Sequence, residues 1–180
     1  MPKILILLFH PFLEKSKANQ MLLDSVPVSE SITLRDLYEI YPNFTIDVKL
    51  EQKLLMEHDV ILFQHPFYWY SCPPLMKQWI DFVLEDGWAY GKNGNFLKDK
   101  KWIQTITTGG TELAYSKEGF HGHLMEEFLL PFRRTAELCK MDYQSPFLLQ
   151  GTFQLKEGEF QKESIRYRNF LLFLLGANHG

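Results

Sequence analysis

Cysteine is scarce in this 180-residue sequence, with only Cys72 and Cys139 present. Neither belongs to a C-x-x-C pair, so a disulfide framework is excluded and a reducing compartment, the cytoplasm, is expected. The sequence also lacks a large excess of charge of either sign. Its formal net charge is -3, and acidic and basic residues are interspersed. Because no basic patch stands out, we do not expect the protein to bind nucleic acid.

Long apolar runs are missing as well. The opening MPKILILLF and the later FLLFLLG are both far shorter than the roughly 20 residues of a membrane span. No small-residue cleavage pattern follows the opening stretch, which favours a buried first strand over a signal peptide. The length is that of one domain, and we expect a single domain over residues 1–180.

Several motifs of common enzyme classes are absent. The sequence has no G-x-G-x-x-G, no Walker A and no G-x-S-x-G motif, which excludes the usual dinucleotide, nucleoside-triphosphate and serine-hydrolase signatures. Cys72 precedes a predicted helix start, but CPPLMKQ lacks the Arg that a thiol phosphatase needs. His121 and His123 have no third ligand at suitable spacing, so no metal site is expected.

Apolar runs of strand length alternate with segments of helical periodicity. The predicted strands are 3–9, 31–37, 59–65 and 102–109, with a fifth within 143–153. The predicted helices are 16–25, 49–57, 73–87, 123–139 and 162–175. Pro73 and Pro74 suit the first turn of the third helix, and Gly87 is expected to end it. The alternation predicts an α/β fold, a doubly wound parallel sheet with helices on both faces.

In such sheets ligands bind where the strands end at their carboxyl edge. The loop after the first strand, HPFLEKSKAN at 10–19, predicts a phosphate site at a helix start. Ser16 is a suitable N-cap, and Asn19 and His10 add polar groups near free backbone N–H groups. The alternative interpretation is a capped helix with a surface histidine.

The loop after the third strand lies within QHPFYWYSCPPLMKQW, residues 64–79, and is unusually aromatic and rich in proline. Because Pro66, Pro73 and Pro74 fix φ nearby, the loop is rigid as well as apolar. Trp69 and its neighbours suit a planar heteroaromatic ligand, since stacked rings add about 0.5–1.5 kcal/mol. An interface or a core cluster is the alternative interpretation.

The loop after the fourth strand, TTGGTELAYSKEGFHG at 107–122, contains two adjacent glycines that allow a ligand to approach the backbone closely. Tyr115 and His121 follow on the same loop, and each can donate a hydrogen bond or a proton. By itself this loop could be a simple turn with an incidental Tyr and His. Taken together, the three loops describe a site for flavin mononucleotide.

From Ile4 to about Phe153 the sequence resembles the flavodoxin-like NAD(P)H quinone oxidoreductases. The resemblance rests on the Ser-x-x-Asn of HPFLEKSKAN, on FTIDVKLEQ, QHPFYWYSCPPLMKQWID and GWAYG, and on TTGG with YSKEGFHG. It implies a five-stranded sheet in the order 2-1-3-4-5. The segment DLYEIYP is most similar to small bacterial members, which include the ancillary flavoproteins of glutathione-gated potassium efflux systems.

The resemblance also implies residue roles. Tyr115 and His121 would be catalytic, stabilising charge on the flavin, and Tyr90 would face the substrate from across a homodimer interface. The implied mechanism is ping-pong, with reduction of the flavin by NADH or NADPH followed by two-electron reduction of a quinone. The residues that match cofactor-binding positions are His10, Ser16, Lys17, Ala18, Asn19, Pro66, Phe67, Tyr68, Trp69, Thr107, Thr108, Gly109 and Gly110.

The resemblance leaves the cofactor and the biological role partly open. The sequence lacks the C-terminal extension whose contacts favour FAD in the long animal enzymes, so FMN is expected, with FAD as the alternative. One alternative function is an ancillary subunit that activates a potassium efflux antiporter and is held at the inner membrane by that partner. Another is an azo- or nitro-compound reductase. Because the fourth-strand loop is complete, we expect an active reductase.

Overall fold

The computed structural model describes residues 1–176. Within this range the strands form one parallel sheet in the order β2-β1-β3-β4-β5, and β6 also pairs with β4. The predicted α/β fold and strand order are therefore confirmed. The strands are β1 (Ile4–Leu8), β2 (Ile32–Asp36), β3 (Val60–Pro66), β4 (Lys101–Thr107), β5 (Asp142–Tyr143) and β6 (Phe147–Leu149).

Helices cover both faces of the sheet because successive side chains of a buried strand point to opposite sides. Ile4 and Ile6 belong to a core that includes residues of the first and last helices, whereas Leu5 and Leu7 belong to a core on the other face. The helices of the described chain are α1 (Lys17–Asp24), α2 (Leu37–Ile40), α3 (Val48–Glu57), α4 (Pro74–Val83), α5 (Met125–Phe128), α6 (Leu130–Leu138) and α7 (Glu157–Leu174).

The predicted elements differ from the observed ones at three boundaries. Helix α4 ends at Val83 rather than at Gly87, which instead has a φ of 75° in a turn and donates to the carbonyl of Tyr90. The helix predicted over 123–139 is divided into α5 and α6, with Pro131 in the first turn of α6. Helix α7 begins at Glu157, five residues before the predicted start.

The predicted fifth strand is also divided. Residues 144–146 separate β5 from β6, and Pro146 lies immediately before β6, where the ring would remove a ladder hydrogen bond. The edge strand therefore consists of two short pieces, both paired with β4.

The register brings the carboxyl ends of several strands to one level. Pro66 pairs with Thr107, and Thr107 pairs in turn with Leu149. The loops that follow β1, β3, β4 and β6 consequently meet at one edge of the sheet, as the sequence predicted for the first three. Within residues 1–176, no helix combines the length and the apolarity that a membrane crossing requires.

Candidate functional site

A cavity of about 540 Å³ opens at the carboxyl edge of the sheet. Small-molecule sites in proteins commonly have volumes of about 300–1,000 Å³, so the cavity is large enough for a cofactor. Its walls come from the loop after β1 with the start of α1, from the loops after β3, β4 and β6, and from α7. Of the residues singled out by sequence, those that line it are His10, Ser16, Lys17, Ala18, Asn19, Pro66, Phe67, Tyr68, Thr107, Thr108 and Gly109.

One end of the cavity is the amino terminus of α1. The hydroxyl of Ser16 accepts from the backbone N–H of Asn19 at 3.3 Å and from its side-chain amide at 3.0 Å, and the Ser16 carbonyl accepts from Gln20. The first amides of a helix have no intrahelical acceptor, and those of Lys17 and Ala18 find none elsewhere in residues 1–176. Together with the helix dipole, these donors form an anion cradle.

The cradle is tied to the end of β4. The side-chain amide of Asn19 donates to the Thr107 hydroxyl at 3.0 Å, and its oxygen accepts from Gln64 at 3.4 Å. Asn19 is 1% exposed, so these bonds are shielded from water. The amide of Asn19 thus fixes the spacing between the anion cradle and the loop after β4.

His10 lies beside the cradle as a neutral hydrogen-bond donor. Its Nδ1 accepts from the backbone N–H of Phe12 at 3.2 Å, which leaves the proton on Nε2. Burial lowers the pKa of His10, and the charge of Glu14 opposes that shift in part. The imidazole meets the ring of Tyr68 edge to face, with centroids 6.4 Å apart.

The opposite end of the cavity is a slot between two loops. The amide of Phe67 donates to the Thr107 carbonyl at 2.8 Å, which joins the loop after β3 to the end of β4. The amides of Gly109 and Gly110 find no acceptor among residues 1–176 and remain available to a ligand. A Cβ at Gly109 would lie 2.5 Å from the ring of Phe153, so only glycine lets that ring lie against the backbone.

Tyr115 and His121 lie next to the slot rather than in its lining. Their rings stack with centroids 4.4 Å apart, and a Cβ at Gly110 would lie 3.0 Å from the Tyr115 ring and 3.4 Å from His121 Nε2. The absence of a side chain at Gly110 therefore lets both rings pack close to its backbone. The Tyr70 hydroxyl lies 3.3 Å from His121 Nδ1, and burial raises the pKa of the Tyr115 phenol.

Three further residues singled out by sequence do not line the cavity. Trp69 has a φ of 49° and a side chain that is 92% exposed. The carbonyl of Gly110 accepts from Gly151 and from the Thr108 hydroxyl, which shapes the turn. Tyr90 is half-buried, and its carbonyl closes the turn that follows α4.

The strand order agrees with a comparison against known families. The family described as flavodoxin-like fold matches residues 2–171. The chain belongs to this flavodoxin-like family. The predicted resemblance is thereby confirmed at the level of the family.

Individual relatives of this flavodoxin-like protein are similar over nearly their whole length. The glutathione-regulated potassium-efflux system ancillary protein KefG of Pectobacterium carotovorum is 44% identical over 170 residues, which cover 94% of this chain and 93% of that protein. A crystal structure of general stress protein 14 from Treponema denticola in complex with FMN is 38% identical, with a TM-score of 0.89 and coverage of 98% of this chain and 100% of that chain. A structure described as an NADPH-quinone reductase from P. pentosaceus is 26% identical, with a TM-score of 0.85 and coverage of 93% and 96%.

Sequence reasoning missed part of the lining of this flavodoxin-like protein. Thr152 and Phe153 follow β6, so their place at the carboxyl end of a strand was a usable signal. Phe160 comes from α7, whose start was predicted too late to include it, and no local motif marks Phe12 or Lys15. The missed lining residues are Phe12, Lys15, Thr152, Phe153 and Phe160.

Proposed function

We propose that this flavodoxin-like protein is an FMN-dependent NAD(P)H:quinone oxidoreductase. The observation that carries the proposal is that one cavity combines two features. At one end the start of α1 offers free amide donors, and at the other end a slot lies between an aromatic loop and a Gly-Gly turn. A relative with FMN bound and a relative described as an NADPH-quinone reductase support it.

The cradle at α1 fits the phosphate of FMN. The free amides of Lys17 and Ala18 would donate to phosphate oxygens, and the Ser16 hydroxyl would add a third hydrogen bond. His10 would donate through Nε2. The ammonium group of Lys15 would offset part of the phosphate charge, whereas that of Lys17 is paired with Glu157.

The slot fits the flat ring of a flavin. Pro66, Phe67 and Tyr68 form one wall, and the backbone of Thr107 to Gly109 forms the other. The unpaired amide of Gly109 would donate to a nitrogen or carbonyl group of the ring, which is the fit expected for FMN, with FAD as the alternative.

FMN, when bound, accepts two electrons as hydride from NADH or NADPH and passes them to a quinone. The contribution of this chain is to hold hydrogen-bond donors beside the slot. The Tyr115 phenol holds its proton at neutral pH, burial raises its pKa further, and it would donate to the bound ring. His121, oriented by the Tyr70 hydroxyl, would stabilise negative charge through its free nitrogen.

A homodimer is part of the proposal. Tyr90 does not line the cavity of its own chain but packs partly against the core near the turn after α4. In a dimer of the kind that the resemblance implies, Tyr90 would face the nicotinamide or quinone in the partner's cavity. Equilibrium sedimentation of the flavin-loaded protein tests the dimer.

The function is tested with protein purified in the presence of added flavin. We expect a yellow protein that releases FMN on boiling and oxidises NADH or NADPH only when a quinone such as menadione is supplied. Protein with no flavin absorbance and no menadione-dependent oxidation would overturn the proposal. Faster turnover of azo or nitro compounds than of quinones would instead assign a different oxidant.

A second candidate is an ancillary subunit of a potassium efflux antiporter. It is favoured by the 44% identity with the ancillary protein KefG over 93% of that relative's length. The partner would hold this chain at the membrane surface. Potassium flux through the antiporter of the same organism, measured in liposomes, should rise when this protein is added, and an unchanged flux would remove this candidate.

A further inference from the structure

A row of three polar side chains crosses the sheet behind the cavity, and the site described above makes no use of it. His65 on β3 and Gln104 on β4 are both 0% exposed, and Tyr143 on β5 is half-buried. The three strands are neighbours in the sheet. Buried polar groups cost free energy unless they are bonded, and each member of the row is bonded to the next.

The hydrogen bonds of the row all point the same way, from Tyr143 towards Pro66. Nδ1 of His65 lies 2.9 Å from the carbonyl oxygen of Pro66, which can only accept, so this nitrogen carries the proton. Burial lowers the pKa of His65 to about 4, so the ring is neutral at pH 7 and its Nε2 is an acceptor. The amide of Gln104 donates to Nε2 at 3.1 Å, which leaves its oxygen to accept from the Tyr143 hydroxyl at 3.1 Å.

The row ends on the backbone of the cavity wall. Proline has no N–H, so Pro66 can be anchored to its surroundings only through its carbonyl group. That carbonyl accepts from His65 and also from the backbone N–H of Tyr68 at 3.1 Å. Pro66, Phe67 and Tyr68 all line the cavity. The imidazole therefore holds the first peptide group of the ring-binding loop from behind.

We propose that His65 is a positioning residue for the cavity wall formed by Pro66 to Tyr68, with Gln104 and Tyr143 holding it in the Nδ1–H tautomer. The inference rests on the proposed function, because the ligand that this wall would position is the FMN ring. A catalytic site needs such supporting residues to hold its contacting groups to about 0.5 Å.

The first measurement is the tautomer, read from the ¹⁵N shifts of the histidine rings in the flavin-free protein at pH 7. We expect a neutral His65 with its proton on Nδ1. A neutral ring with its proton on Nε2 would overturn the inference, whether or not the protein binds flavin.

The second measurement compares two buried histidines, one at each end of β3. His58, before β3, also places Nδ1 against a backbone carbonyl, that of Leu54 at 2.7 Å, but lies at the opposite edge of the sheet from the cavity. In fluorescence titrations, His65→Phe should weaken FMN binding about tenfold and shift the flavin absorption band, whereas His58→Phe should do neither. Equal FMN affinity and equal spectra for the two variants and the wild type would overturn the inference.

The third measurement uses Gln104→Glu, which keeps the shape of the side chain and replaces its donor by an acceptor. Both nitrogens of His65 should then carry protons, while the bond to Pro66 persists, so FMN affinity should stay within about threefold of the wild type. A loss of FMN affinity of about tenfold or more, with both nitrogens protonated, would overturn the inference. Gln104→Glu and the tautomer measurement test the role of His65 even where His65→Phe does not fold. A wild-type protein that binds no FMN would instead overturn the proposed function.

Discussion

The rings of Tyr115 and His121 stack with their centroids 4.4 Å apart and their planes 22° from parallel. Each ring is thereby held by the other, and the Tyr70 hydroxyl lies against the imidazole from a second side. A side chain at Gly110 would crowd the pair, because a Cβ there would lie 3.0 Å from the Tyr115 ring and 3.4 Å from His121 Nε2.

We expect His121→Ala to slow flavin reduction by NADH or NADPH about 10²-fold, the lower end of the effect of a general acid or base. Flavin should remain bound, because His121 does not line the cavity. Stopped-flow absorbance measures the rate. His123→Ala is the matched control, since His123 is an exposed neighbour that pairs with Glu127. A wild-type rate in His121→Ala would remove this residue from the chemistry.

Ser16→Ala should weaken the binding of FMN but not that of riboflavin. The Ser16 hydroxyl lies at the end of the cavity that we propose for the phosphate, and riboflavin has no phosphate. Loss of the N-cap bond to Asn19 should also cost about 0.5–2 kcal/mol of stability. Fluorescence titration of both ligands checks the first effect. An equal loss for FMN and riboflavin would indicate that the whole cavity has been disturbed.

Glu51→Gln should destabilise the fold by about 3–5 kcal/mol, because it leaves a largely buried arginine without its counter-charge. Glu51 is 0% exposed and accepts from Arg35 at 2.6 Å, from the Tyr41 hydroxyl at 2.7 Å and from Trp79 Nε1 at 3.0 Å. Urea unfolding at pH 7 measures the free energy.

Glu57→Gln on the same helix is the control for Glu51→Gln. Glu57 pairs with Lys53 at a distance of 3.9 Å on the surface, where ion pairs contribute about 0–1 kcal/mol. Similar losses for the two variants would contradict a special role for the buried carboxylate.

Acid should destabilise the wild type partly through His65. The pKa of this residue is about 4 in the folded protein, below the ordinary value of 6.5. As the pH falls from about 6.5 to about 4, the unfolded chain binds a proton that the folded chain excludes, so stability falls by about 3 kcal/mol and then levels off.

His65→Phe should therefore lose less stability than the wild type between pH 7 and pH 4.5. Urea unfolding at the two pH values measures the difference, and the carboxyl groups common to both proteins cancel in the comparison. Equal losses in the two proteins would show that His65 titrates normally in the folded state.

Buried parallel strands were the most predictable part of the molecule, because KILILLF and DVILFQH carry apolar side chains on both faces and leave little choice of structure. The polar residues that follow these strands predicted that the site lies at the carboxyl edge of the sheet. The divided edge strand and the start of α7 were less predictable, since Pro146 and Glu157 act through local backbone geometry rather than through periodicity.

The site itself was predictable only where residues adjacent in sequence share a loop. Ser16 to Asn19 form one helix start, so their common role follows from the chain alone. Phe160 reaches the cavity from α7 because that helix packs against α1, which is a tertiary relationship. Trp69 shows the converse: its aromatic neighbourhood suggested a ring that stacks on a planar ligand, but the backbone at Trp69 has a left-handed φ of 49° and the residue is 92% exposed.

The interruption at Pro146 also affects how separate molecules meet in concentrated solution. A long, straight, unpaired strand would offer a row of free N–H and C=O groups on which another chain could add and begin a fibril. Here the exposed margin offers a two-residue piece and a three-residue piece, and the guanidinium of Arg166 occupies the carbonyl of Leu148 at 2.6 Å. This margin of the protein is therefore a poor template for polymerisation.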